Sequence, residues 1–148
     1  MPIQLEGNVI EHLDFVHASI TSEVSITATS SATGDTCIST GVFGITNPGD
    51  YYVEIFTPYL TKGTTNLDVE LFEGATAATG TFLTTLTGHM TGSDILGSCP
   101  NLSALVTLAA GSHRLTVTAF VDGGTGKFGA GTGATGQPPP ARIRVRST

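Results

Sequence analysis

The residues of this chain that suggest chemistry most directly are the glycines near its carboxyl end. The pattern GxGxxG occurs at 124–129 and again at 131–136. Dinucleotide binding needs this pattern between a strand and a helix whose first N–H groups meet the pyrophosphate. Three prolines at 138–140 exclude such a helix, and Lys127 is followed by Phe128 where a Walker loop has Ser or Thr. We therefore expect no nucleotide cofactor.

His12, Asp14 and His17 have the side-chain types of a metal site. On a strand, positions 12 and 14 share one face and position 17 lies on the other, so the three side chains do not converge. His89 and His113 are expected at the surface or at an interface. The sequence therefore predicts no metal site.

One run suggests covalent catalysis, Gly97-Ser98-Cys99-Pro100. It lacks the strand-to-helix turn that exposes a serine nucleophile, and the sequence pairs no histidine and carboxylate with it. We expect a protein that is not an enzyme and has no cofactor. Cys37 and Cys99 are expected to be reduced, buried thiols, with a disulfide between them as the open alternative.

The elements that position these residues are predicted to be strands. The chain has 25 Thr and 19 Gly among 148 residues, and charged residues make up 12%. Thr favours strands and Gly favours turns, so the composition predicts an all-β protein. Part of a surface with so few charges is expected to be buried between subunits. The net charge of −6 argues against nucleic acid as a partner, because phosphate contacts need clustered Lys and Arg.

Nine alternating segments separated by turn residues predict a two-sheet antiparallel β-sandwich. Residues 1–18 are predicted to be an N-terminal arm with the first strand, and 19–148 the sandwich domain. The N-terminus has no signal-peptide pattern, and no apolar run is long enough to span a membrane. The predicted strands are 8–16, 19–28, 36–45, 50–57, 65–73, 81–87, 102–109, 113–121 and 141–146.

The alternation also predicts which side chains face the core. In the strand 50–57 the inward positions are 51, 53 and 55, which leaves Tyr52 and Phe56 on the opposite face. These two aromatic rings need cover, either from a neighbouring subunit or from a loop of the same chain. Two further inward rows are Leu67, Val69 and Leu71, and Leu115, Val117, Ala119 and Val121.

Charge is segregated along the chain. The first 61 residues hold seven acids and no Lys or Arg, whereas three of the six basic residues are Arg142, Arg144 and Arg146. Period 2 puts these arginines on one face of the last strand. Their predicted partners are carboxylates of an adjacent strand or of another subunit. The candidate carboxylates are Glu6, Glu11, Asp68 and Glu70. Phe128, in the glycine-rich loop, is a further interface candidate.

Three runs near the C-terminus carry a resemblance to known proteins: 110–117, the glycine-rich loop 123–136, and 140–145. They resemble the ending of small jelly-roll proteins encoded by tailed bacteriophages. Those proteins are similar in turn to the trimeric jelly roll of tumour necrosis factor and of complement globular heads, and residues 64–72 add to the likeness. The resemblance implies a jelly roll, a homotrimer and a place in the virion after assembly in the host cytoplasm. It carries over no site residues.

The function implied is a non-enzymatic virion protein, a capsid decoration or minor capsid protein that cements or decorates the head as a trimer. Its partners would be its own copies and the major capsid protein or other virion proteins, without nucleic acid or membrane. Residues 1–18 are the candidate docking arm. The first alternative is a receptor-binding module of a tail fibre or tail tip that uses the loops 74–80 and 88–100. The second is a secreted trimeric ligand.

Overall fold

The computed structural model describes residues 4–5, 8–9, 14–64, 66–87 and 101–148. Within these ranges the chain forms fifteen strands and one short 3₁₀ helix, Ser31–Thr33. The strands are β1 (Gln4–Leu5), β2 (Asn8–Val9), β3 (Asp14–Ile20), β4 (Val24–Ile26), β5 (Asp35–Ser39), β6 (Phe43–Ile45), β7 (Gly49–Phe56), β8 (Leu60–Thr61), β9 (Asp68–Glu73), β10 (Thr81–Thr87), β11 (Asn101–Leu108), β12 (Gly111–His113), β13 (Leu115–Phe120), β14 (Gly126–Phe128) and β15 (Ala141–Ser147). The prediction of an all-β protein is confirmed.

Two four-stranded antiparallel sheets make the sandwich. The front sheet has the order β11-β7-β15-β3, and the back sheet has the order β10-β9-β13-β5. Neighbouring strands are mostly distant in sequence, as in a jelly roll, and the last strand, β15, lies between β7 and β3. Two smaller sheets, β12-β6 and β4-β14-β8, adjoin the sandwich. The predicted two-sheet jelly roll is confirmed.

The core lies between the two sheets. Val53, Ile143 and Val145 face it from the front sheet, and all three are 0% exposed. The predicted inward rows of β9 and β13 face it from the back sheet and are equally buried. Full burial of a side chain of this size stabilises the fold by about 1.5–3 kcal/mol. Period-2 alternation of β-branched and aliphatic residues therefore accounts for the core.

The outer face of the back sheet is covered over β9 and β13, which the alternation alone did not predict. Glu70, Thr116 and Thr118 point away from the core, yet they are 7%, 0% and 0% exposed. The segment 27–34 covers this face: the hydroxyl of Ser31 donates to Oε2 of Glu70 at 2.6 Å, and a Cβ at position 34 would lie 3.2 Å from that of Thr118. The middle strands β9 and β13 are thus buried on both sides, whereas Phe82 of the edge strand β10 lies on the same outer side and is 49% exposed.

Several predicted strand boundaries are wrong. β3 runs through the gap that was predicted between 8–16 and 19–28, and only β4 remains of the second segment. The predicted strand 36–45 divides into β5 and β6, with the positive-φ residue Gly41 between them. Lys127 lies on β14, a strand inside the glycine-rich loop, where glycine content alone predicts a turn.

The chain from Gly129 to Pro140 folds back on itself as a hairpin-like loop. The N–H of Gly131 donates to the carbonyl of Pro139 at 3.1 Å, and that of Gly133 donates to the carbonyl of Pro138 at 2.9 Å. The Thr57 hydroxyl anchors the base of the loop by a hydrogen bond of 2.8 Å to the carbonyl of Gly129. These contacts fix the chain immediately before β15.

Candidate functional site

The candidate site lies on the outer side of the front sheet, where β15 presents its arginines. Ala141, Ile143 and Val145 are fully buried, so the residues between them point outward. Arg142 and Arg144 are exposed and Arg146 is half-exposed. Alternation in a strand that packs on one side explains the arrangement.

Strand β7 supplies the opposing side chains. Directly opposite residues of antiparallel strands project to the same side of the sheet. The cross-strand pairs are Arg142 with Phe56, Arg144 with Glu54 and Arg146 with Tyr52. On the other side of β7, Leu105 of β11 lies opposite Tyr52. We call these seven side chains together the front face.

The front face includes an uncovered apolar pair. Tyr52 is 41% exposed and Leu105 is 54% exposed, and the two are adjacent across β7 and β11. Arg146 lies over the Tyr52 ring, with its guanidinium carbon 5.2 Å from the ring centroid. A cation above an aromatic ring is attracted by about 0.5–1 kcal/mol at an exposed site. Polar and apolar side chains are therefore interleaved on this face.

Arg146 is also ion-paired within the chain. Its Nη2 lies 3.2 Å from Oε1 of Glu54 on the adjacent strand. An adjacent-strand carboxylate was one of the predicted partner classes, but Asp68 and Glu70 are not on an adjacent strand, because they belong to β9 in the back sheet; contact with another subunit stays a prediction. The other candidates, Glu6 and Glu11, lie outside the described residues.

A cleft of about 340 Å³ opens on the front face where β15 begins. Its lining consists of Glu54, Phe56, Pro139, Arg142 and Arg144. It combines two guanidinium groups, one carboxylate, one aromatic ring and one proline ring. Such a set binds an anion through the guanidiniums and an apolar surface through the rings.

The structure brings five of the six predicted interface residues together on the front face: Tyr52, Phe56, Arg142, Arg144 and Arg146. Their contact with another subunit stays a prediction. The sixth, Phe128, is corrected, because it is 0% exposed and belongs to the core cluster. Leu105 was missed, although the outward position of 105 follows from the buried positions 102, 106 and 108 of the same strand.

A second cluster joins β4 and β14. The Tyr59 hydroxyl donates to Oε2 of Glu23, and Nζ of Lys127 lies 3.0 Å from Oε1 of the same carboxylate. The hydrogen bond from Tyr59 is the main cause that lowers the pKa of Glu23, and Lys127 adds to it against the effect of burial. The bond to Glu23 raises the pKa of Tyr59 to about 12. The cluster favours the ionised carboxylate and links the strands of the small sheet β4-β14-β8.

His113 is held by acceptors on both ring nitrogens. Nδ1 lies 2.5 Å from Oε1 of Glu73, and Nε2 lies 2.8 Å from the carbonyl of Ala109. Burial by itself lowers the pKa of His113, but the hydrogen bonds to Glu73 and Ala109 and the Glu73 charge together raise it above its usual value. Two acceptors match the two donors of an imidazolium ion.

The remaining sequence candidates are spread over the chain. Cys37 is a free, buried thiol whose pKa is raised by burial and by the Asp35 charge. His17 is exposed on β3. His12, His89 and the run 97–100, which contains Cys99, lie outside the described residues. Among the residues that the structure describes, no group of three or more His, Cys, Asp or Glu is placed to hold a metal ion.

Comparison of the fold with solved structures finds similar proteins. Eiger TNF from S. frugiperda aligns with a TM-score of 0.50 over 92% of this chain and 94% of that chain, at 14% sequence identity. The chain has a TNF-like jelly roll. At this identity the likeness concerns the fold alone. No protein-family profile and no curated protein sequence matches the chain. In the described ranges, no helix is both long and apolar enough to cross a membrane.

Proposed function

We propose that this protein is a non-enzymatic structural protein of a bacteriophage virion, which assembles as a homotrimer and decorates or cements the capsid. The observation that carries the proposal is the uncovered apolar pair on the front face, Tyr52 and Leu105, beside the arginines of β15. Uncovered apolar surface beside polar residues is typical of a protein–protein interface.

A contact between copies of this chain suits this face. It carries both signs of charge, because Glu54 lies among the arginines, and its apolar pair is bordered by the half-exposed Arg146. Aromatic and arginine side chains are enriched at interfaces, and closed point symmetry is the usual form of a homo-oligomer. The trimer is the closed assembly that the resemblance of residues 102–148 to phage jelly rolls implies. That resemblance is also the support for the virion as its setting.

The cementing role follows from the proposed trimer. A small protein bound across several capsid subunits stabilises the shell by mass action, since it binds the assembled state and not the separated subunits. Residues 1–18 are proposed as the arm that contacts the capsid. The low charge of the chain, 12%, fits a surface that is largely buried in an assembly.

The oligomer is tested by Leu105→Glu. This substitution would bury three carboxylates in a trimer, so sedimentation at micromolar concentration should show a trimer for the natural chain and a monomer for the variant. Val42→Glu is the control, because Val42 is 69% exposed and lies in the β5–β6 turn, away from the front face. A monomeric natural chain, or equal dissociation in both variants, would contradict a front-face trimer.

The virion role is tested by copy number. Quantitative mass spectrometry of purified particles should find the protein at hundreds of copies per head, and particles that lack it should release DNA at a lower temperature. A few copies per particle would contradict decoration and favour a tail location. A version without residues 1–13, which keeps β3 and its pairing with β15, should still form trimers but no longer bind the shell.

A further inference from the structure

The cleft at the start of β15 has the size of a site for one small organic molecule. Its volume, about 340 Å³, lies at the lower end of the range for ligand pockets, which is about 300–1,000 Å³. Along β7 its Phe56 wall is four residues from Tyr52, or about 13 Å at the rise of a strand. The cleft shares Phe56, Arg142 and Arg144 with the predicted interface residues, so a ligand site here goes with an interface that is centred on the Tyr52–Leu105 pair and leaves the cleft open at its edge.

The positive charge of Arg142 is available to a ligand. The Arg142 side chain is exposed and makes no hydrogen bond or ion pair with any residue that the structure describes. Arg144 projects beside it, two residues along the same strand. The carboxylate of Glu54 is engaged by Arg146, which lies outside the cleft lining. A guanidinium fork in this setting binds a carboxylate through two parallel hydrogen bonds.

The apolar walls of the cleft are held in place. Phe56 is half-buried and lies at the end of β7, which is paired on both sides. The carbonyl of Pro139 accepts the hydrogen bond from Gly131 that closes the loop before β15. Two fixed rings beside a guanidinium offer dispersion contact to a flat or puckered ring of C–H groups. A bare inorganic anion would leave these walls unused.

We propose that the cleft binds an organic carboxylate carried on a sugar ring, of the uronic acid type. The carboxylate pairs with Arg142, the C–H face of the ring packs on Phe56 and Pro139, and a ring hydroxyl donates to Glu54. Glu54 can accept this bond because one ion pair does not use all the acceptor sites of a carboxylate. The site goes beyond the proposed virion role and does not depend on it.

The first experiment is calorimetric titration of the full-length protein at low salt with galacturonate, glucose, acetate and sulfate. Saturable binding of galacturonate at one site per chain is expected, with weaker binding of acetate and none of glucose. If sulfate binds as tightly as galacturonate, or if galacturonate does not saturate, the proposal is overturned and the cleft attracts anions only diffusely.

The second experiment uses charge-matched variants. Arg142→Gln should weaken galacturonate binding by about tenfold or more, the loss expected for a charge-assisted hydrogen bond. Lys62→Gln removes one positive charge outside the cleft lining and outside the front sheet, and it should change the affinity by less than about threefold, because exposed charges at a distance are screened. Equal losses in both variants would overturn the proposal.

Two further variants separate the parts of the site. Arg142→Lys keeps the charge but not the fork, so it should retain acetate binding better than Arg142→Gln does. Phe56→Leu should weaken galacturonate without weakening acetate, because only the sugar ring uses the aromatic wall. Thermal unfolding of each variant verifies that it is folded. Loss of both ligands in folded Phe56→Leu would contradict the assigned role of the ring.

Discussion

Replacing Gly131 with alanine tests whether close backbone contact in the glycine-rich loop positions the start of β15. A Cβ built at Gly131 lies 2.3 Å from the carbonyl oxygen of Pro138 and 2.8 and 2.9 Å from two of its ring carbons. Contacts under 3.0 Å force something to shift. Both neighbours are backbone or a rigid ring, so the shift must move the chain that also carries Pro139, a wall of the cleft.

The expected loss of stability follows from this geometry. Overpacking of a well-packed site costs about 1–3 kcal/mol. For a domain of this size, 1 kcal/mol changes Tm by about 2–4 °C, so Gly131→Ala should lower Tm by about 2–12 °C. The hydrogen bond of 3.1 Å between Gly131 and Pro139 would be stretched by the same movement. Calorimetry and urea denaturation of the purified variant measure both quantities.

Gly49→Ala is the matched control, and the opposite sign is expected for it. Nothing lies within 4 Å of a Cβ at Gly49, and its φ is not in the positive range that disfavours alanine. Removing a glycine at such a position stabilises a protein by about 0.4–1 kcal/mol through the unfolded chain. If Gly131→Ala left Tm within about 1 °C of the natural protein, or matched Gly49→Ala in sign, the close-contact explanation of the loop would be refuted.

Two titratable clusters give further predictions. The pKa of His113 is raised in the folded state. The stability that its protonation contributes is therefore complete below the unfolded pKa of about 6.5 and is lost as pH rises through the folded pKa. Tm should fall over that pH range, and His113→Gln should make the fall smaller. Glu73→Gln should reduce the same dependence, and an unchanged profile in both variants would contradict the assignment. Tyr59→Phe should lower stability by about 1 kcal/mol at neutral pH, because it removes a hydrogen bond to a partly exposed carboxylate, whereas Tyr52→Phe should be nearly neutral. The pKa of Glu23 is lowered in the folded state, so the stability that its ionisation contributes is present above the unfolded pKa and is lost as pH falls through the folded pKa. The stability of Tyr59→Phe should therefore depend less on acid pH, which circular dichroism can measure.

The inward rows could be predicted from the sequence because they depend on one strand at a time. In β7 and β13, apolar side chains recur at every second position, and the pleat puts all of them on one side. The outward positions of Tyr52 and Phe56 follow from the same rule. The two-sheet sandwich and the outward positions of these side chains were therefore within reach of alternation and strand spacing, whereas the jelly roll was implied by the resemblance of the C-terminal runs.

The features that were missed depend on which strands become neighbours. The partner of Arg146 is Glu54, 92 residues earlier in the chain, and only the insertion of β15 beside β7 brings them together. The burial of Glu70 depends on a segment 39 residues earlier. β14 is short and lies among glycines, so its own β-propensity is low. It forms a strand because it pairs with β4 and β8.

The two outer faces of the sandwich differ in a way that bears on function. On the back sheet, the outward Glu70 and Thr118 are buried beneath segment 27–34, and the Glu70 carboxylate accepts a hydrogen bond from the Ser31 hydroxyl. Phe82, on the edge strand of the same outer side, is 49% exposed. On the front face, Leu105 stays 54% exposed and Arg142 extends into solvent. Burial of apolar surface is the favourable term in folding and in association, and the proposed homotrimer would supply that burial for Tyr52 and Leu105.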